Sequence, residues 1–295
     1  MSEFAGKTAV ISGGAEGIGL SIAQSLGKQG MRLVLGDIDA QQLETAQQTL
    51  SAQGFDVITV TMDVSRPADW QVLADRAIEA FGKVHLLVNN AGVGGTPGAI
   101  EQTDAKDWQW VLDVNLMGVI YGAQTLVPLM KQHGEGGWLI NVASMAGMMG
   151  VPFAGAYTAT KVAVVGMSES WSVELKPHNI HVSVLCPAFV KTRINHSYRN
   201  KQDEYKNGEA DPNASAELSA MADHMQQVIN NGLDVEIVGE RVVEALQQKE
   251  LYIFTHPNYR SVVENRFKAI DAAFERAQQS PLLAHVLDEE PVSFS

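Results

Sequence analysis

Tyr157 and Lys161 stand four residues apart, and Ser144 lies thirteen residues upstream of Tyr157. That spacing puts a phenol and an ammonium on one face of a helix, with a hydroxyl in reach of both. A free phenol has a pKa of about 10 and exchanges protons poorly near neutrality. A cation beside it stabilises the phenolate, and the hydroxyl can hold a substrate oxygen at the same place. The chemistry predicted is proton transfer at an alcohol or carbonyl oxygen. Tyr-x-x-x-Lys recurs by chance, so its weight comes from a second signature near the N-terminus.

That signature is Ser12-Gly13-Gly14-Ala15-Glu16-Gly17-Ile18-Gly19, between an apolar run at Thr8–Ile11 and a helical pattern at Ile18–Gln29. Glycines in a strand-to-helix turn let a pyrophosphate approach the backbone, and the helix N-terminus offers unpaired N–H groups. Asp37 closes the next apolar run, eighteen residues beyond Gly19. A carboxylate there accepts from adenosine ribose hydroxyls and repels a 2′-phosphate. Glu16 in the turn is also acidic, and Ile38 rather than arginine follows Asp37. The expectation is NAD rather than NADP.

These groups need a scaffold. Short runs rich in Val, Ile and Leu at Thr8–Ile11, Leu33–Leu35, Val57–Val60, Val84–Val88, Trp138–Val142, His181–Leu185 and Leu251–Phe254 read as strands. Helical patterns lie between them at Ile18–Gln29, Gln41–Ala52, Trp70–Phe81, Asp107–Gln132, Ala156–Leu175 and Glu236–Gln248. In the first, Ile18, Ile22 and Leu26 form one buried stripe, and Gly30 is placed to end it in a left-handed cap. Strands buried on both faces and alternating with helices predict right-handed crossovers and a parallel sheet. The fold class expected is α/β, a doubly wound parallel sheet in one domain spanning residues 1–295.

Two regions break the alternation. Residues 193–214 are crowded with polar groups, which predicts a mobile segment, and residues 193–235 together are expected to form a substrate-binding lid. A weak helical pattern runs over Ala214–Ile229. Residues 257–295 read as a C-terminal extension with one helix at Val262–Gln279.

Bulk properties exclude several functions. A net charge of −13 argues against a nucleic-acid partner and against an anionic membrane surface. No apolar run approaches the roughly 18 residues of a membrane span, and the N-terminus lacks the pattern of a signal peptide. A single cysteine, Cys186, reads as a buried hydrophobe and suits a reducing compartment. A cytoplasmic soluble protein is expected. His178 and His181 have no supporting ligands nearby, so no metal site is expected.

Taken together, the motifs resemble those of the short-chain dehydrogenases/reductases over roughly residues 5–192 and again over Glu236–Phe254. The glycine motif is Gly13, Gly17 and Gly19; the adenine-side pair is Asp63-Val64; and Asn89-Asn90-Ala91-Gly92 stands intact. Asn115 matches the family's helix asparagine, and Ser144, Tyr157 and Lys161 match its catalytic serine, tyrosine and lysine. Pro187-Ala188 stands for Pro-Gly, with Thr192 at the nicotinamide-contacting position; Ser12 stands for threonine. The resemblance implies hydride transfer between the nicotinamide and a carbinol carbon, with the proton passing through Tyr157. It also implies that Lys161 binds the nicotinamide ribose, that Ser144 holds the substrate oxygen, and that Asn115 supports a water linking Lys161 to solvent.

A narrower similarity, over Leu218–Arg276, is to the longer dehydrogenases of aryl alcohols, the Cα-dehydrogenases of lignin-derived ethers. Met145, Met148, Met149, Val151, Phe153 and Phe189 are expected around the substrate, which would be a bulky hydrophobic or aromatic alcohol or ketone. The family implies a homodimer or homotetramer through the helices around Asp107–Gln132 and Ala156–Leu175. Two other uses of the scaffold are a redox-neutral epimerase or dehydratase and a non-catalytic NAD(H)-binding regulator.

Overall fold

All seven apolar runs become strands of one parallel sheet in a computed structural model of the protein, which describes residues 2–206 and 224–292. In chain order they are β1 (Thr8–Ser12), β2 (Arg32–Asp37), β3 (Val57–Thr61), β4 (Leu86–Asn89), β5 (Gly137–Val142), β6 (Ile180–Cys186) and β7 (Tyr252–Phe254). Their order across the sheet is β3-β2-β1-β4-β5-β6-β7. The reversal between β1 and β4 opens a crevice at the carboxyl edge, the place where such sheets bind nucleotides. Register brings Ser12 beside Gly36 and Asn89 beside Asn141 at that edge.

The helices are α1 (Gly17–Lys28), α2 (Ala40–Ala52), α3 (Pro67–Phe81), α4 (Ala105–His133), α5 (Gly155–Leu175) and α6 (Val235–Gln248). Residues 224–230 are also helical. Central strands are apolar on both faces because each face is covered. Ile11, Leu33 and Leu35 pack with Ile22, Leu26, Val242 and Leu246 from α1 and α6 on one side. Val10, Val34 and Leu87 pack with Trp70, Leu73, Trp110 and Leu126 from α3 and α4 on the other. Burying a side chain of this kind contributes about 1.5–3 kcal/mol. Gly30 sits at φ +86° after α1, as its spacing predicts.

The helix α4 is continuous but contains one π turn, Asp113–Met117, which the sequence does not announce. By length and composition α4 is apolar enough to cross a membrane, contrary to expectation. It is a core helix, with more than half of its most apolar stretch buried inside the protein.

The sheet and its helices occupy one compact unit, Met1–Thr255. A second unit, His256–Ser295, contains α7 (Arg260–Gln278). No side chain of α7 is buried, and Phe267, Ile270 and Phe274 lie exposed along one face.

Candidate active site

The glycine turn follows from close approach. Gly13 has φ +62°, and a side chain there would come within 2.8 Å of the Ala91 Cα. A Cβ on Gly19 would lie 2.1 Å from the Gly13 carbonyl oxygen. Only glycine fits either position. The Ser12 Oγ accepts from the N–H groups of Asn90 at 3.0 Å and Ala91 at 3.2 Å. The Asn90 Nδ2 donates to the carbonyls of Ser12 at 3.0 Å and Gly13 at 2.8 Å. Asn90 and Ala91 therefore brace the turn from β4, and serine serves there because only a hydroxyl is needed. No side chain caps α1, so its first N–H groups at Gly17, Ile18 and Gly19 remain for an anion. A turn that no Cβ can enter, below an uncapped helix, fits a pyrophosphate.

Asp37 ends β2 and accepts from the N–H groups of Ala15 and Asp39, both at 3.0 Å. Burial raises its pKa and the charges of Glu16 and Asp39 add to this, while the two N–H bonds oppose it. Asp63 follows β3, and its neighbour Val64 is buried, with its carbonyl accepting from Trp70 Nε1 at 3.0 Å.

Ser144, Tyr157 and Lys161 are brought together as their spacing predicts. Ser144 lies just beyond β5, where its Oγ accepts from the Ala146 N–H at 3.1 Å and donates to the Pro187 carbonyl at 3.4 Å. Tyr157, in the first turn of α5, hydrogen-bonds to the Ser144 hydroxyl. One turn on, Lys161 is 4% exposed, and its Nζ lies 5.5 Å from the Tyr157 ring centre and donates to the Val142 carbonyl at 2.9 Å. The cation was expected to set the acidity of the phenol. Burial instead dominates and raises the Tyr157 pKa, and Ser144 opposes it. Burial lowers Lys161 to about 8.

Asn115 sits in the π turn of α4, fully buried. Its Oδ1 accepts from the Val93 N–H at 2.8 Å and its Nδ2 donates to the Val93 carbonyl at 2.8 Å. The side chain thus serves Val93 as a substitute strand partner. A Cβ on Gly92 would stand 3.4 Å from Asn115 Oδ1 and 3.6 Å from Lys161 Nζ, so the gap between the two is kept by a glycine.

Pro187 is buried at the end of β6, and Thr192 places its methyl 3.4 Å from where a Gly17 side chain would begin. Among the expected wall residues, Met149 and Phe189 are half-buried. Met145 is 5% exposed and packs beneath the loop, so it offers a substrate little surface. Phe153 is 51% exposed and held at φ +61°, a strained conformation for an aromatic residue. Cys186 is buried, and that burial pushes its thiol up to about 12.

The segment after Thr192 departs from expectation. Residues 207–223, including much of the expected lid and of the helical pattern Ala214–Ile229, lie outside the described residues. Residues 193–206, expected to be mobile, form a strap of two short 3-10 turns that is fixed at many points. Arg193 and Arg199 both pair with Glu16, which is therefore a clasp residue of the glycine turn as well as an acidic one. Ser197 accepts from the Gly94 N–H at 3.1 Å, and Tyr205 donates to Asp113 at 2.9 Å. Lys201 and Asp107 form an ion pair at 2.8 Å, 5% and 7% exposed, with the ammonium 5.0 Å from the Trp110 ring centre. Long polar side chains here make fixed bonds across the sheet edge rather than solvating a loop. Sequence spacing carried no signal for these partners, because each lies about a hundred or more residues away.

Away from this edge, His85, His133 and Glu135 bring ligand atoms within 4.8 Å of one another, an arrangement not expected from sequence. The ring nitrogens are already engaged. His85 Nδ1 accepts from the Thr8 N–H, His133 Nδ1 accepts from the Glu135 N–H, and His133 Nε2 meets the Val84 carbonyl. Glu135 also pairs with Lys83, and these contacts hold its pKa to about 2. The group reads as a hydrogen-bonded surface cluster.

Residues 7–203 match the family model for short chain dehydrogenase. The chain belongs to that family. It is 34% identical over 273 residues to a CLA biosynthesis dehydrogenase/reductase of Lactiplantibacillus plantarum, covering 92% of this chain and 95% of that one. A C alpha-dehydrogenase of Sphingobium sp. strain NBRC 103272 / SYK-6 is 31% identical over 270 residues, 92% of this chain and 87% of that one. Among solved structures, a short chain dehydrogenase/reductase from Burkholderia phymatum in complex with NAD is 38% identical. It superposes with a TM-score of 0.88 over the whole of both chains. Similarity to a Cα-dehydrogenase thus extends into the C-terminal region, as the narrower resemblance implied, and the chain is an oxidoreductase of this family.

Proposed function

We propose that the protein is an NAD-dependent dehydrogenase that interconverts a bulky hydrophobic or aromatic secondary alcohol and its ketone, with Tyr157 as general acid/base. The observation that carries this reading is the Tyr157 phenol, hydrogen-bonded to Ser144 and backed by a buried Lys161, on the same sheet edge as the glycine turn. The dinucleotide, when bound, supplies the hydride acceptor. Its pyrophosphate would be held at Gly13, Gly17 and Gly19, its adenosine ribose at Asp37, and its nicotinamide end near Lys161 and Thr192.

In alcohol oxidation, Ser144 holds the substrate oxygen and Tyr157 takes its proton as the carbonyl forms. Lys161 stabilises the phenolate through its positive charge, and its bond to the Val142 carbonyl keeps it aligned. In reduction the same phenol returns the proton. Asp37 at the end of β2 supports NAD, since a 2′-phosphate would meet its carboxylate, whereas the charge of Glu16 is offset by Arg193 and Arg199. Half-buried Met149 and Phe189 and the exposed Phe153, together with the similarity to a Cα-dehydrogenase over 92% of the chain, support an aryl substrate. The free, buried Cys186 suits a reducing cytoplasm, and the exposed Val162 and Val173 of α5 support assembly into a homodimer or homotetramer.

The test is a panel of aryl and alicyclic secondary alcohols followed by the absorbance of reduced dinucleotide. NAD should support turnover at least tenfold more efficiently than NADP. Tyr157→Phe should lose more than a thousandfold in kcat while NADH still binds. Equal efficiency with both dinucleotides, or substantial turnover in the variant, would overturn the assignment.

A further inference from the structure

Glu16 holds the N-cap position of α1, where a polar side chain ordinarily turns in to accept from the first N–H groups of the helix. Here it makes no such bond. Both carboxylate oxygens are bonded to the strap instead: Arg199 Nη2 donates to Oε1, and Arg193 Nε and Nη2 both reach Oε2. The backbone explains how one carboxylate meets two guanidiniums. Arg193 immediately precedes the 3-10 segment Ile194–Asn200. Residues three apart eclipse one another in a 3-10 helix, so Arg193 and Arg199 lie on the same side of the strap. Arg199 is aimed from within the strap, because its Nη1 donates to the His196 carbonyl at 2.9 Å.

A carboxylate at a helix N-terminus is drawn to the same N–H groups, and the same end of the dipole, as a bound phosphate. Glu16 is therefore a built-in competitor of a pyrophosphate at Gly17, Ile18 and Gly19. Exposed ion pairs contribute little singly, and the Glu16 and Arg199 side chains are 32% and 30% exposed. Two guanidiniums on one carboxylate, one of them tied down, hold it better than a single mobile pair. The strap has its own anchors in Ser197 on Gly94 and Lys201 on Asp107, so its arginines do not depend on Glu16 for their place.

We propose that Arg193 and Arg199 are positioning residues for the dinucleotide: they draw Glu16 off the N-terminus of α1 and leave its N–H groups to the pyrophosphate. Each acts through Glu16 and not by touching the coenzyme. This rests on the dinucleotide-binding reading above and deepens it, since one carboxylate then ties coenzyme affinity to the strap.

Dissociation constants for NADH are measured by fluorescence titration of the full chain without substrate. The proteins are wild type, Arg193→Met with Arg199→Met, Glu16→Gln, and the triple variant. The arginine variant should bind NADH at least tenfold more weakly than wild type. Glu16→Gln should change wild-type affinity less than twofold, yet tighten binding at least fivefold when added to the arginine variant. An arginine variant as tight as wild type would overturn the proposal. So would the reverse order, a large gain from Glu16→Gln in wild type and little in the arginine variant, which would show arginines that bind the pyrophosphate themselves. Adenosine, which carries no phosphate, should displace NADH with the same affinity from wild type and the arginine variant. A parallel loss for adenosine would trace the effect to a disordered strap and overturn the proposal as well. Arg193→Gln with Arg199→Gln serves as the second variant should the methionine form fail to fold. These failures leave NAD-dependent oxidation standing, whereas a wild type that binds neither NADH nor NADPH would overturn both readings.

Discussion

Lys161 shows how residue chemistry and stability oppose each other at this site. An ammonium that is 4% exposed is disfavoured by its lost hydration, which lowers its pKa from 10.5 to about 8. Between those two values the unfolded chain binds the extra proton and the folded one does not, so stability rises with pH from about 8 to about 10.5. The size is of the order of 3–4 kcal/mol, at roughly 1.4 kcal/mol for each tenfold change in proton affinity. Thermal unfolding of wild type and Lys161→Met at pH 7.5 and pH 10 should show this directly. Wild type should gain on the variant as pH rises, and a constant difference would show that the lysine is not strained by burial. Burial raises the Tyr157 pKa, which favours the phenol form that gives a proton in the reduction direction. Ser144, Tyr157 and Lys161 were legible in sequence because one helical turn and one strand end determine their meeting. The engagement of Asn115 with Val93 was not, because a π turn leaves no mark in composition.

Among the elements, strands and helices followed their apolar periodicity closely, and the strap did not. Its density of Asn, Arg, Lys and Glu predicts a solvated loop when its partners are unknown. In the fold, Lys201 enters a pocket between Asp107, Trp110 and Tyr198. Asp107 also accepts from the Thr96 N–H at 2.7 Å and its hydroxyl at 3.1 Å, which anchors the strap to the loop after β4. Breaking a buried pair from one side leaves an uncompensated charge, typically at a cost of 3–5 kcal/mol. Lys201→Met should therefore lower the melting temperature by several degrees, and Asp107→Asn combined with it should recover part of the loss. A double variant no better than the single one would show that the two charges do not act as a pair.

At the scale of the whole molecule, sheet order puts every motif residue on one edge although their sequence positions run from 12 to 192. The complete sheet and all the named site residues lie within Met1–Thr255. A chain ending at Thr255 should keep NADH binding within about threefold of full length. Loss of binding in a truncated protein with a native circular dichroism spectrum would assign the last forty residues a part in the site. Net charge and cysteine usage bounded the class of molecule from sequence alone, because they are sums that no fold alters. The separation of His256–Ser295 as its own unit was legible only as a break in the strand–helix alternation.

The strap joins two properties that enzyme engineers treat as separable. One stretch of fourteen residues, 193–206, grips the glycine turn through Glu16 and reaches Asp63 through Gln202, and we propose that it also begins the lid over the substrate. A chimera that takes this stretch from a relative to broaden the range of alcohols accepted would inherit the donor's coenzyme handling as well. Successful exchange would need positions 16 and 63 to travel with the graft.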